Sequence, residues 1–210
     1  MAAKFNQPTL FIVAGAPGSG KSALMPVGSF GVDYFNADDE AAKLNGNSYK
    51  SIPLSVRTLI NQRFERFIME HIEQNLSFAL ETTLRTPIAL TQAAQAREAG
   101  FYVVMNYIAT ESLEINLNRV AVRAEGGGHS APPDVLERIW RSSYENLFKA
   151  INSVGQSLDE LTIFDNSLDG HYMTQAFHVY RPMDRTAVEV EIFNVPEYLN
   201  HYLDLALSWP

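Results

Sequence analysis

Short apolar runs alternate along the chain with longer stretches in which apolar residues recur every three or four positions. Leu10, Phe11, Ile12, Val13 and Ala14 form a continuous apolar run that ends at a Gly/Pro cluster, the pattern of a strand buried on both faces. Residues 77–80, 102–108 and 161–164 repeat it. Residues 32–38, ending in Asp38, read as a further buried strand. Between these runs, Val56, Leu59, Ile60, Phe64, Phe67, Ile68 and Ile72 fall on one helical face, and residues 88–99 predict a helix stopped by Gly100. Leu113, Leu117 and Val120 mark a short helix. Leu136, Ile139, Trp140, Tyr144, Leu147, Phe148 and Ile151 mark a longer one, entered through Pro132 and Pro133. Trp140, Tyr144 and Phe148 are read as core positions. The last forty residues differ: 177–180 and 188–192 predict a hairpin with one solvated face, and 196–207 a closing helix. The expected fold is α/β, a mostly parallel sheet with helices on both faces and a C-terminal β-hairpin and helix, in one domain over 1–210.

Composition narrows the function classes. At 46% apolar and 19% charged, the 210 residues suit a globular chain with one sizeable core. A net charge of −8 argues against a general grip on nucleic acid or anionic lipid. No cysteine is present, which excludes disulfides, thiolate catalysis and Cys-ligated metals. The longest apolar runs, 10–16 and 101–109, fall well short of the ~20 residues that span a bilayer. A soluble, cytoplasmic protein is expected, without nucleic-acid or membrane partners.

The first strand leads into Gly15-Ala16-Pro17-Gly18-Ser19-Gly20-Lys21-Ser22, which fits G-x-x-x-x-G-K-[ST] in the strand-to-helix setting this motif requires. Glycines let backbone N–H groups turn inward around phosphate oxygens, and a helix N-terminus adds partial positive charge. Lys21 would reach the β- and γ-phosphates, and the Ser22 hydroxyl would ligate Mg²⁺. The loop alone does not separate motors, switches and kinases. No N-K-x-D or LSGGQ-like sequence is present, and the size and strand–helix rhythm favour a small kinase.

Several charged residues could complete that chemistry. Asp38 could accept the proton of an attacking hydroxyl, or could serve only as a helix-entry acid like Asp39. Glu81 ends another predicted strand, where it could orient Mg²⁺-bound water, bind substrate or merely open a helix. Arg85 lies just beyond it. Arg119 and Arg123, four apart, share a helical face ahead of Glu125-Gly126-Gly127-Gly128-His129-Ser130, which suits a lid closing over the phosphates. Solvated arginines on a helix are the plainer reading. His129 has no evident partner, and Arg138 and Arg141 read as surface charges.

Taken in order, the segments resemble the zeta-toxin family of P-loop kinases, and more closely its short bacterial relatives described as ABC-type ATPases. The matching pieces are GAPGSGKS at 15–22, FNADD at 35–39, FALETTLRT at 78–86, EAGFYVVMNYIA at 98–109, RVAVRAEGGGH at 119–129 and FDNS at 164–167, collinear from about residue 9 to 167. The resemblance implies an ATP- and Mg²⁺-dependent phosphotransferase acting on a small-molecule hydroxyl, as in relatives that phosphorylate UDP-N-acetylglucosamine, with an antitoxin protein as partner. It casts Asp38 as catalytic base, with Lys21 and Arg119 also catalytic. Asp38, Glu81, Thr83 and Arg85 become substrate-binding, Arg119 and Arg123 phosphate-binding, and Asn166 a neighbour of the adenine. The family's toxins place their second lid arginine further along than Arg123, and their long C-terminal extension has no match in 185–210. A kinase for another nucleoside or sugar remains open on this reading. So does a nucleotide-dependent binding protein that controls a partner without phosphoryl transfer.

Overall fold

The computed structural model describes residues 7–49, 51–126, 131–168, 172–182 and 186–208. Among the described residues, seven strands form one sheet. β1 (Thr9–Ala14) lies at its centre between β3 (Phe78–Thr82) and β4 (Tyr102–Ala109). β2 (Asp33–Phe35) forms one edge, beside β3. On the other side β4 is followed by β5 (Glu160–Asp165), β6 (Thr174–Tyr180) and β7 (Glu189–Ile192). β1 to β5 pair in parallel, and β6 and β7 add an antiparallel hairpin. All six residues of β1 are buried, which explains its unbroken apolar run. In β6, Phe177 and Val179 are buried while His178 between them is only partly so, giving the hairpin its one solvated face.

The larger core packs one sheet face against α3 (Leu54–Glu73), α4 (Ile88–Glu98), α6 (Pro133–Ile151) and α7 (Asn200–Leu207). On the opposite face, Phe11, Val13, Ala79, Val104 and Ile108 meet Met25, Val27, Phe30 and Val32, from the segment around a 3₁₀ turn at Val27–Phe30. Arg97 ties α4 to the start of β5: its Nε donates to Asp159 Oδ1 at 3.1 Å, while Asp159 Oδ2 accepts the Val103 N–H at 2.9 Å. The closing helix starts as a 3₁₀ turn at Glu197–Leu199 before becoming α7. Among the described residues, no helix is long and apolar enough to cross a membrane.

One local expectation is corrected, and one element is shorter than an ordinary helix. The strand expected over 32–38 is only Asp33–Phe35, and Asp33 and Tyr34 are exposed at the sheet edge. Asn36 ends it by accepting the N–H groups of Asp38 and Asp39 at 3.1 and 3.3 Å, the N-cap of α2 (Ala37–Leu44). Asp38 therefore lies in the first turn of a helix, where its charge suits the helix dipole, rather than at a strand end. The helix after the phosphate loop is also reduced. α1 (Lys21–Leu24) has one turn, because Pro26 holds Met25 at φ −140° and ψ 64°, outside the helical region.

His178 illustrates the hairpin's electrostatics. Its Nε2 lies 3.7 Å from Glu160 and its Nδ1 3.9 Å from Glu191, yet burial outweighs both and holds the imidazole below its ordinary pKa. The unfolded chain therefore takes up this proton more readily than the native one. The contribution to stability is complete above ~6.5, the unperturbed histidine value, and is lost as pH falls through the lowered native pKa. His178→Gln should flatten the fall in stability below that pH in urea titrations. An unchanged or steeper fall would assign the acid sensitivity elsewhere.

Candidate active site

Gly18 and Gly20 adopt φ 82° and 99°, the left-handed region that side chains other than glycine's rarely enter. A Cβ on Gly18 would meet the Asn116 carbonyl oxygen at 2.5 Å, and one on Gly20 would meet Asn166 Nδ2 at 2.4 Å. The loop thus lies directly against two asparagines from distant parts of the chain. The one-turn α1 leaves little helix dipole behind the loop, so the backbone N–H groups supply most of its attraction for anions.

Lys21 is folded back into this loop. Its Nζ donates to the carbonyls of Gly15 at 2.8 Å and Ala16 at 3.2 Å, and the side chain is buried. Burial pushes its pKa down; Glu81 raises it, Arg123 lowers it and Asp38 raises it. Three charged groups from separate segments, Glu81, Arg123 and Asp38, thus act on Lys21. The Ser19 hydroxyl, on a residue only 1% exposed, has no hydrogen-bond partner among the described residues.

The Ser22 hydroxyl donates to Glu81 Oε2 at 2.9 Å. This places an alcohol and a carboxylate together at the mouth of the loop, a fitting pair for Mg²⁺, which takes few protein oxygens and keeps its remaining ligands as water and phosphate. No cluster of three or more His, Asp or Glu side chains able to hold a metal unaided occurs among the described residues. Just beyond, Leu84 is fully buried at φ 53°, held by Thr82 Oγ1 on its N–H at 3.0 Å and by Asn146 Nδ2 on its carbonyl at 2.9 Å. This strained turn leaves Thr83 half-buried and Arg85 exposed on either side of Leu84, at the C-terminal end of β3.

Arg119 and Arg123 lie on α5 (Leu113–Glu125) with different surroundings. Arg119 donates to the carbonyls of Asn166 at 2.7 Å and Leu168 at 3.3 Å, tying α5 to the turn after β5. Arg123, one helical turn on, is the arginine whose charge bears on Lys21. Asn166 is buried, and its Nδ2 donates to the Ser19 carbonyl at 2.7 Å. His129 and the rest of residues 127–130, expected to form a lid, lie outside the described residues. Asp38 is exposed, and a cleft of about 570 Å³ lined by Tyr34, Asn36, Asp39, Lys43, Asn47 and Tyr49 runs along the same helix.

Sequence reasoning missed Asn116. It is 2% exposed, and its Nδ2 donates to the Pro17 carbonyl at 2.6 Å while its Oδ1 accepts from the Thr110 hydroxyl. The signal was present: Asn116 lies three residues after Leu113 and four before Val120, an amide on the apolar face of α5. Of the aromatic stripe, Tyr144 is core and exchanges hydrogen bonds with the backbone of Thr110, Trp140 packs at its edge, and Phe148 is 49% exposed. Arg138 and Arg141 pair with Asp134 and Glu137 on the surface, as expected.

Similar architectures are known. The structure of AvrRxo1-ORF1:-ORF2 with ATP matches at a TM-score of 0.70 and 19% identity, over 95% of this chain; the chain spans 64% of that one's length. A structure of the PezAT chromosomal toxin–antitoxin system of Streptococcus pneumoniae matches at 0.63 and 15% identity, over 81% of this chain and 71% of that one. A putative kinase from Chloroflexus aurantiacus matches at 0.51 and 17% identity, over 64% and 78%. At these identities the likeness shows a shared fold, a mostly parallel sheet with a phosphate loop after its central strand. No family model matches the sequence. An uncharacterized protein of Haemophilus influenzae is 31% identical over 124 residues, which are 59% of this chain and 86% of that protein, and the chain belongs to its family.

Proposed function

We propose that the protein is a Mg²⁺-dependent kinase that transfers the γ-phosphate of ATP to a hydroxyl of a small molecule. The observation that carries this is a phosphate loop that holds the buried Lys21 ammonium on its own carbonyls and whose Ser22 donates to Glu81 at 2.9 Å, with the charges of Glu81, Arg123 and Asp38 acting on Lys21. Lys21 would exchange the Gly15 and Ala16 carbonyls for phosphate oxygens. Ser22 and Glu81 would hold Mg²⁺, which when bound supplies neutralising charge to the phosphates. Arg123 would add positive charge from α5. Asp38, a carboxylate near Lys21 and open to solvent, would orient the acceptor hydroxyl and take its proton. Thr83 and Arg85 would bind the acceptor, and Arg119 would set the height of α5 above the loop.

The acceptor proposed first is a UDP-N-acetyl sugar, on the resemblance to zeta toxins. An antitoxin-like protein is the proposed partner, since AvrRxo1-ORF1 is found with ORF2 and PezAT is a toxin–antitoxin system. Function in the cytoplasm is part of the same reading. The test is a ³²P-transfer screen across UDP-sugars, nucleosides and free sugars, in which at least one acceptor should be labelled in a Mg²⁺-dependent manner. A screen that labels none, with ATP instead altering the binding of a protein partner, would replace the kinase by a nucleotide switch.

Glu81→Gln keeps the shape and the hydrogen bond from Ser22 but removes the charge. The Mg²⁺ concentration needed for half-maximal ATP binding should rise about tenfold or more, ~1.4 kcal/mol, with nucleotide binding in excess Mg²⁺ largely restored. An unchanged Mg²⁺ requirement would move Glu81 away from the metal.

A further inference from the structure

We infer that Asn116 and Asn166 are positioning residues that orient two peptide planes of the phosphate loop, turning the N–H groups of Gly18 and Gly20 toward bound phosphate. The ligand's identity rests on the kinase reading; the orientation rests on geometry alone. In a trans peptide the C=O of one residue and the N–H of the next point in opposite directions, and the described residues contain no cis peptide. The Pro17 carbonyl is drawn outward onto Asn116 Nδ2 at 2.6 Å, so the Gly18 N–H points the other way. The Ser19 carbonyl is drawn outward onto Asn166 Nδ2 at 2.7 Å, so the Gly20 N–H does likewise. Among the described residues neither N–H donates to any group.

Each asparagine is itself fixed. The Thr110 hydroxyl bonds Asn116 Oδ1 and so sets which end of the amide faces the loop. The Asn166 backbone N–H donates to Ala109 at 2.9 Å, and its carbonyl accepts Arg119 at 2.7 Å. Both anchors lie at the C-terminal end of β4, so the central sheet sets the aim of the loop. The two glycines permit it, because a Cβ at either position would collide with the asparagine that braces it. Preorganised donors of this kind do not have to be reoriented when charge arrives.

The inference is tested with Asn116→Leu and Asn166→Leu, near-isosteric variants that remove the donor without adding charge. The probe is inorganic tripolyphosphate with Mg²⁺, followed by calorimetry and by the glycine amide resonances. Pro17–Gly18 is the only Pro-Gly pair in the chain and Ser19–Gly20 the only Ser-Gly pair, so pairwise isotope labelling assigns both signals. In the wild type both amide protons should shift as tripolyphosphate binds. Asn116→Leu should weaken binding about tenfold or more and abolish the Gly18 shift while retaining that of Gly20, and Asn166→Leu should do the reverse. Shifts that vanish together in either variant, or persist in both, would make the asparagines ordinary packing residues and overturn the inference; if one variant fails to fold, the other decides. A wild-type protein that binds neither ATP nor tripolyphosphate would instead overturn the kinase reading and this inference with it.

Discussion

Asp38→Asn should leave ATP affinity within about fivefold of wild type, under ~1 kcal/mol, while acceptor phosphorylation falls by about 10²–10⁴, ~3–5 kcal/mol of barrier. The split follows from where the residue lies. Asp38 is exposed in the first turn of α2, and its backbone N–H is already satisfied by Asn36, so the substitution disturbs no packing. Its charge reaches Lys21 only as the weakest of three electrostatic influences, behind Glu81 and Arg123. A neutral amide there loses the proton acceptor and little else. One ATP titration and one rate assay decide the matter. A variant that phosphorylates acceptor at the wild-type rate would remove Asp38 from the chemistry.

Lys21→Met should abolish nucleotide binding without unfolding the protein. The ammonium is buried at a desolvation cost that lowers its pKa, offset in part by the Gly15 and Ala16 carbonyls and by the charges of Glu81 and Asp38. Removing the ammonium leaves the Gly15 and Ala16 carbonyls without their donor, a cost of about 1–3 kcal/mol, so the variant should melt lower without ATP yet remain folded. The wild type should respond differently to ligand. ATP at about a hundred times its Kd contributes ~2.7 kcal/mol, which lifts the melting temperature of a chain this size by roughly 5–10 °C. Thermal denaturation with and without Mg²⁺-ATP should show that rise in the wild type and none in Lys21→Met. A full rise in the variant would mean that the loop is not the nucleotide site.

The buried strands were legible because β1, β3, β4 and β5 lie inside the sheet and carry unbroken apolar runs. β2 was misjudged for the corresponding reason. Val32 and Phe35 do reach the core, but the strand is an edge of three residues with Asp33 and Tyr34 exposed, and Asn36 captures two backbone N–H groups that would otherwise have continued it. Pro26 was equally visible in the sequence, and its consequence, a one-turn α1, follows from the conformation it forces on Met25. In the site, the motif named the loop and the acids near it. It could not show that Glu81 meets Ser22, because that contact joins residues 59 apart and depends on β3 lying beside β1. Asn116 escaped because an asparagine's amide says nothing of its partner until the helix is docked.

The bonds that shape the phosphate loop also bear on how the chain acquires its native form. Asn116 reaches back 99 residues to Pro17, and Asn166 reaches back 147 to Ser19. Contacts of such long sequence separation must await the elements that bring their ends together, and the closure entropy falls before they can repay it. During synthesis the complete motif, Gly15 to Ser22, emerges before β4, α5 and the turn after β5, and its geometry cannot be set until they have joined the sheet. A chain arrested before Asn166 would carry an intact consensus sequence with one of its two restraints missing. On the kinase reading, competence to hold nucleotide therefore follows the synthesis of the loop residues only after these later segments have docked.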